Sequence, residues 1–295
     1  LSSVERASRV LKSLKDEEWR TLAGIERASS AHGTADTGMI ARLSRLPPER
    51  VEFALGELEK KGLAGRRGLS FALLREGVEA MALRDYVKKD LVVALGAIIA
   101  KGKESDVYEA YTEEGGLYAL KFFKLGRTSF TSVRKKRFRE GSDMKSWIAV
   151  NYEAARREYD ALKKLDGLGD SFPRAYAYSR STVLLQQVSG YRLSERPELD
   201  DPKSMLAGVL DSMRAAYVKA GLVNADLSEY NILTDGVTHW LIDWPQAVDR
   251  GHPNSADLLR HDVGAVVGFF RRAYRVDMDR EKAFAYVRGD RRSLE

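Results

Sequence analysis

The sequence predicts an α+β fold in two segments that meet near residue 88. Residues 1–87 carry helical periodicity and one short hairpin signal, whereas residues 88–295 place strand-like runs first and helix-like runs last. Strands grouped apart from helices along a chain belong to α+β architecture rather than to an alternating α/β one.

In the first segment, Glu17–Ser29 is helical by composition and Asp36–Leu43 follows a polar turn. Pro47-Pro48 opens a third helix, since proline suits a first turn, where the missing N–H costs nothing. Val51, Ala54, Leu55 and Leu58 recur at helical spacing and form one apolar face. Gly62 suits the C-cap. The runs Leu63-Ala64 and Leu69–Leu74 flank Gly65-Arg66-Arg67-Gly68, a hairpin signal, and a connecting helix follows. Three helices and a hairpin give the order of a winged helix, with Arg66 and Arg67 at the wing tip. The third helix carries Glu49, Glu52, Glu57 and Glu59 against Arg50, Lys60 and Lys61. Such a face repels phosphates, which argues against sequence-specific DNA reading and for a wing or edge contact to structured RNA or protein.

In the second segment, Val107–Tyr111 and Leu117–Phe123 are expected to pair around the turn Glu113-Glu114-Gly115-Gly116. Glu153–Leu165 and Met205–Ala220 are predicted helices. Thr182–Val188 is strand-like, and short strands resume at Ile232-Leu233 and Trp240–Ile242.

Composition bounds the function. With 44% hydrophobic and 31% charged residues the chain is expected to be globular rather than disordered. Its longest apolar run, Leu91–Ala100, is roughly half the ~20 residues of a membrane helix, so no membrane partner is expected. No signal peptide is visible at the first residues, and a cytoplasmic protein is expected. The absence of cysteine excludes disulfides and thiolate metal sites. A net charge of +6 favours an anionic partner, a nucleotide or RNA.

The chemistry concentrates in Val223–Leu233 followed by Leu241-Ile242-Asp243. Asp226 precedes Asn231 by five positions, and Asp243 follows across a short hairpin. Phosphoryl transfer needs a carboxylate by the attacking oxygen, and an amide oxygen plus a second carboxylate on Mg²⁺; this spacing supplies all three. Lys121, after Tyr118-Ala119-Leu120, matches the strand lysine that holds phosphates, and Glu158 in the 153–165 helix is its expected partner. The segment 101–108 is the expected phosphate loop, with Gly102 allowing close backbone approach, Lys103 beside it and Ser105 offering a hydroxyl.

Together, Gly102–Tyr108, the run Leu125-Gly126-Arg127-Thr128-Ser129-Phe130, Asp226–Asn231 and Ile242–Gln246 resemble the RIO atypical serine/threonine kinases. The winged-helix start and the Gly-Arg-Thr-Ser-Phe run resemble their second subfamily. The resemblance implies a truncated, two-lobed protein-kinase-like domain over 88–295, without an activation segment or peptide-binding helices. Only 52 residues follow Asp243, which agrees with a shortened C-terminal lobe. It further implies ATP and Mg²⁺ as ligands, with Mn²⁺ as an alternative metal. The implied work is ATP-dependent action, as kinase or ATPase, on the immature small ribosomal subunit, its rRNA and proteins, with a transient phospho-aspartate at Asp243. By position, Asp226 and Asp243 are the catalytic aspartates and Asn231 and Asp243 the metal ligands. Gly102, Lys103, Ser105, Lys121 and Glu158 serve the phosphates, and Gln186 and Val188 offer hinge backbone groups to adenine.

Three departures from the family pattern are visible. Asn224-Ala225 stands where His-Gly is usual, Ala100 replaces a glycine of the loop, and Trp244 replaces a phenylalanine. Arg134-Lys135-Lys136-Arg137-Phe138-Arg139 reads as a solvated loop or an rRNA phosphate contact, and Thr128, Ser129, Thr131 and Ser132 as sites of self-phosphorylation. Asp262, in an expected helix start at 261–263, either braces the catalytic loop or caps its helix. His239 beside Trp240 is expected to be structural. Two rival readings share part of these signals. A small-molecule kinase of the aminoglycoside or choline type also carries Ile-Asp-Trp but lacks a winged helix. A non-catalytic, ATP-sensing RNA-binding assembly factor would bind nucleotide without turnover.

Overall fold

The computed structural model describes residues 1–28, 34–125 and 147–294. The run 126–130 and the basic stretch 134–139 singled out in the sequence lie outside the described residues. The chain divides into two compact units, Leu1–Ala155 with Tyr178–Val183, and Arg156–Ala177 with Leu184–Glu295.

The first unit begins with a helix absent from the sequence expectation, α1 (Ser3–Val10). Ser2 and Glu5 form a capping box in which the Ser2 hydroxyl accepts from the Glu5 N–H and the Glu5 carboxylate accepts from the Ser2 N–H, 3.1 Å each. Helices α2 (Asp16–Ala28), α3 (Thr37–Ser44) and α4 (Pro48–Lys60) follow. Leu22, Ile25, Ile40, Val51, Leu55 and Leu58 bury their side chains, as the helical spacing of 51–58 anticipates. The hairpin differs from expectation by register. Strand β2 runs Ala64–Arg67 and β3 Ser70–Leu73, so Arg67 pairs with Ser70 and the turn is Gly68-Leu69 alone. Gly68 takes φ 62°, a left-handed backbone that only glycine enters without penalty. Arg66 and Arg67 are therefore strand residues, and the wing tip is Leu69. A short β1 (Ala35–Asp36) adds to β3, completing the winged-helix sheet.

Helix α5 (Arg75–Lys88) leaves the hairpin and packs against α1. Strands β4 (Ala94–Lys101), β5 (Ser105–Tyr111) and β6 (Leu117–Phe123) then form an antiparallel meander. The β5–β6 pair matches the expected strands, while β4 coincides with the apolar run that carried no strand assignment. The Phe123 N–H donates to the Ser181 carbonyl at 2.8 Å in the 178–183 turn. The same turn holds Arg180, whose guanidinium binds Glu26 at 2.8 Å and Asp85 at 2.6 Å.

The second unit opens within helix α6 (Trp147–Leu165) and includes parts of the hairpin β7 (Ala175–Ser179) and β8 (Thr182–Gln186). After β8 come β9 (Tyr191–Arg192), helix α7 (Pro202–Val218) and β10 (Leu222–Val223). Strands β11 (Ile232–Thr234) and β12 (His239–Leu241) form a hairpin flanked by β9, and β13 (Val248–Asp249) pairs with β10. Helices α8 (Ser255–Tyr274) and α9 (Arg280–Arg288) close the unit. Leu206, Val209, Leu210, Ile232, Leu241, Val263, Val266 and Phe270 are buried at its centre. Among the described residues no helix is long and apolar enough to cross a membrane.

Candidate active site

Hairpin geometry sets the spacing of Asn231 and Asp243. Ile232 faces Leu241 in the β11–β12 register, and the Ile242 N–H continues the ladder to the Asn231 carbonyl at 2.9 Å. Asn231 and Asp243 therefore flank the open end of one hairpin. The loop before β11 folds back so that the Asn231 N–H donates to the Ser228 carbonyl at 2.9 Å. Asn231 Nδ2 donates to the Asp226 carbonyl at 3.0 Å, which turns its Oδ1 to the other side. The Asp226 residue is exposed, while Asn231 and Asp243 are half-buried. Asp226, Asn231 and Asp243 are thus gathered on one hydrogen-bonded loop and hairpin.

The loop is held from beneath by Asp262, 1% exposed, whose two carboxylate oxygens accept from the Ala225 N–H at 2.8 Å and the Leu227 N–H at 3.2 Å. Asp262 sits in the interior of α8, which starts at Ser255, so the expected helix start at 261–263 is corrected and the capping alternative falls. Charge-assisted bonds of this kind are roughly twice as strong as neutral ones. They oppose a strained backbone: Ala225 takes φ 68° and Asp243 φ 67°. Left-handed backbone costs an alanine about 1 kcal/mol. This explains the conformational demand at position 225, which the sequence marked as a departure from glycine.

Asn224 accepts from the Asp226 N–H at 3.2 Å and donates to the Asp243 carbonyl at 3.0 Å. Trp244, 1% exposed, donates its indole N–H to the Leu241 carbonyl at 2.9 Å and stacks edge-on against Phe172. Its main-chain N–H donates to Glu158 Oε1 at 3.4 Å, so buried Glu158 on α6 is tied to the residue after Asp243. The segment 244–254 passes from Asp243 directly through β13 to α8, which agrees with the missing activation segment.

In the same unit, the Gln186 N–H donates to the Arg174 carbonyl at 2.8 Å and is consumed by β-pairing. The chain then passes half-buried Val188 into β9, which pairs with β11. A Cβ on Gly190 would lie 2.7 Å from the Thr234 carbonyl, so only glycine permits this approach of the chain before β9 to the β11–β12 hairpin. His239, expected to be structural, has Nε2 2.9 Å from Ser212 Oγ, and burial lowers its pKa.

In the first unit, Lys121 is buried on β6 opposite Val107, with Nζ 4.8 Å from the Phe123 ring centroid. Gly102 and Lys103 are exposed between β4 and β5, and Ser105 is half-buried. The loop is tightened by the Gly102 N–H donating to the Ser105 carbonyl at 2.9 Å and the Lys124 N–H to the Glu104 carbonyl at 2.8 Å. Lys124 Nζ also pairs with Asp106 at 2.7 Å.

A winged helix followed by a strand-first, helix-last segment with this loop and hairpin defines a protein-kinase-like class. The RIO domain family matches residues 106–283, and the Rio2 N-terminal family matches residues 11–89. The chain is 33% identical over 262 residues to the RIO-type serine/threonine-protein kinase Rio2 of Methanocaldococcus jannaschii, covering 84% of this chain and 95% of that one. It is 28% identical over 278 residues to the serine/threonine-protein kinase rio2 of Schizosaccharomyces pombe, covering 92% and 80%. A crystal structure of the Rio2 kinase-ADP/Mg²⁺-phosphoaspartate complex from Chaetomium thermophilum is similar at TM-score 0.80 and 28% identity, over 96% of this chain and 89% of that one. The chain belongs to the RIO family of serine/threonine-protein kinases, in its Rio2 branch. The N-terminal match is the part that a small-molecule kinase lacks.

Proposed function

We propose that this chain binds ATP with Mg²⁺ and transfers the γ-phosphoryl group, acting in the cytoplasm on the immature small ribosomal subunit. A winged helix with its connecting helix, 1–87, would then precede a catalytic domain, 88–295. The single observation that carries this function is the convergence of Asp226, Asn231 and Asp243 on one loop and hairpin.

The donor set suits the metal. Among the described residues no group of three His, Cys, Asp or Glu side chains makes a self-sufficient metal site. Asn231 Oδ1 and the Asp243 carboxylate are hard oxygen donors that leave most of an octahedral shell to phosphate oxygens and water, as Mg²⁺ prefers. Bound Mg²⁺ would neutralise charge on the triphosphate. Exposed Asp226 would accept the proton of the attacking hydroxyl or water, as a general base must be reachable by its substrate. Lys121, with Glu158 as its partner, and the 102–105 loop with Lys103 and Ser105 would hold the phosphates. Gln186 would offer adenine its carbonyl, since its N–H is committed to β-pairing, and Val188 would offer backbone groups beside it. The similar Rio2 kinase of Chaetomium thermophilum forms a phosphoaspartate complex; in this chain Asp243 is the residue proposed to carry such a phosphoryl group.

The test is ATP turnover of the native chain and of Asp243→Ala, with and without immature small subunits, across a Mg²⁺ titration. Native turnover that rises on subunits and depends on Mg²⁺, but is lost in Asp243→Ala at every Mg²⁺ concentration, supports the reading. Stoichiometric binding without turnover on the particles would favour the ATP-sensing assembly factor instead.

A further inference from the structure

We propose that Asn224 is a positioning residue that sets the distance between Asp226 and Asp243, an inference that rests on the phosphoryl-transfer reading of this site. The 4%-exposed Asn224 side chain uses its two ends in opposite senses, Oδ1 accepting from the Asp226 N–H and Nδ2 donating to the Asp243 carbonyl. It is a direct strap between the main chains of the two aspartates.

Other hydrogen bonds fix the residues around this strap. Asp262 holds Ala225 and Leu227, Asn231 holds the Asp226 carbonyl, and Glu158 holds the Trp244 N–H. Both strapped segments contain a left-handed non-glycine residue, Ala225 at φ 68° and Asp243 at φ 67°. Such a backbone persists only where its surroundings over-determine it. The Asp243 conformation in turn decides where its carboxylate points, and displacing a reacting group by ~1 Å can cost a hundredfold in rate.

The side-chain chemistry is selective. The strap needs one donor and one acceptor on a short stem, and it must add no charge between two carboxylates. An amide meets all three conditions. A carboxylate accepts but does not donate, and an aliphatic side chain does neither, whereas a neutral imidazole has one of each.

The experiment compares kcat and ATP KM for the full chain with Asn224→Ala, Asn224→Asp and Asn224→His, and with Asp226→Ala as control. All are measured well below their melting temperatures. The Ala and Asp variants are expected to lose about tenfold or more in kcat while KM changes less than about threefold, and the His variant to recover most of the loss. Native kcat in Asn224→Asp, or Asn224→His no better than Asn224→Ala, would overturn the strap. Retained turnover in Asp226→Ala would instead overturn the site itself. An inactive Asp226→Ala beside a native-like Asn224→Ala would overturn the strap alone.

Discussion

Ala225 holds a backbone conformation that its side chain resists, because the two N–H groups on either side of Asp226 must reach the carboxylate of Asp262. Two consequences can be measured. Ala225→Gly relieves the left-handed strain at some cost in unfolded-chain entropy, and a net stabilisation of about 0.5 kcal/mol is expected in denaturant unfolding. A destabilised variant would contradict the strain. Asp262→Ala leaves two N–H groups without their charged acceptor, and a loss of about 2–4 kcal/mol together with lower kcat is expected. Unchanged melting and turnover would remove Asp262 from the account. At this scale the sequence was informative where spacing along the chain equals proximity, as in Asp226, Asn231 and the hairpin to Asp243. It left Asp262 open between brace and cap, because a contact across 35 or 37 positions leaves no local pattern.

Elements with strong local signals appeared where periodicity placed them: α4 with its N-terminal proline, the β5–β6 pair, and the β11–β12 hairpin. Helix α1 was missed although Ser2 and Glu5 spell a capping box, a signal that could have found it. The β2–β3 turn was drawn too wide at its start because Gly65-Arg66-Arg67 looks like loop, whereas the cross-strand register carries β2 to Arg67. The α1–α5 contact yields a pH test. Ser3 Oγ donates to Glu79 Oε1 at 2.9 Å, while Glu79 Oε2 is buried without a hydrogen-bond partner. Burial pushes the Glu79 carboxyl up to about 8, against the Ser3 bond and Arg75, which lower it. Below the unfolded value of 4.5 the group is protonated in both states. From there to about pH 8 folding takes up a proton, so stability falls as pH rises, by a total on the order of 5 kcal/mol. Glu79→Gln is expected to flatten the melting temperature of the first unit between pH 5 and 8. An unaltered slope would show that Glu79 is ionised when folded.

Across the whole molecule, the proposed chemistry draws on two lists of residues: Gly102, Lys103, Ser105 and Lys121 in the first unit, and Asp226, Asn231 and Asp243 in the second. The order of elements and the RIO motifs were legible in the sequence because each rests on short local runs. The strap at Asn224 was visible only as a departure from the family pattern; its two hydrogen bonds required coordinates. The proposed chemistry turns on Asp226 acting on a triphosphate that it does not itself hold. ATP affinity and single-turnover rate, measured in the same preparation of Asp226→Ala, separate those two roles. Affinity within about threefold of native and a rate lower by about a hundredfold or more are expected. A variant that binds ATP and turns it over at the native rate would contradict the assignment.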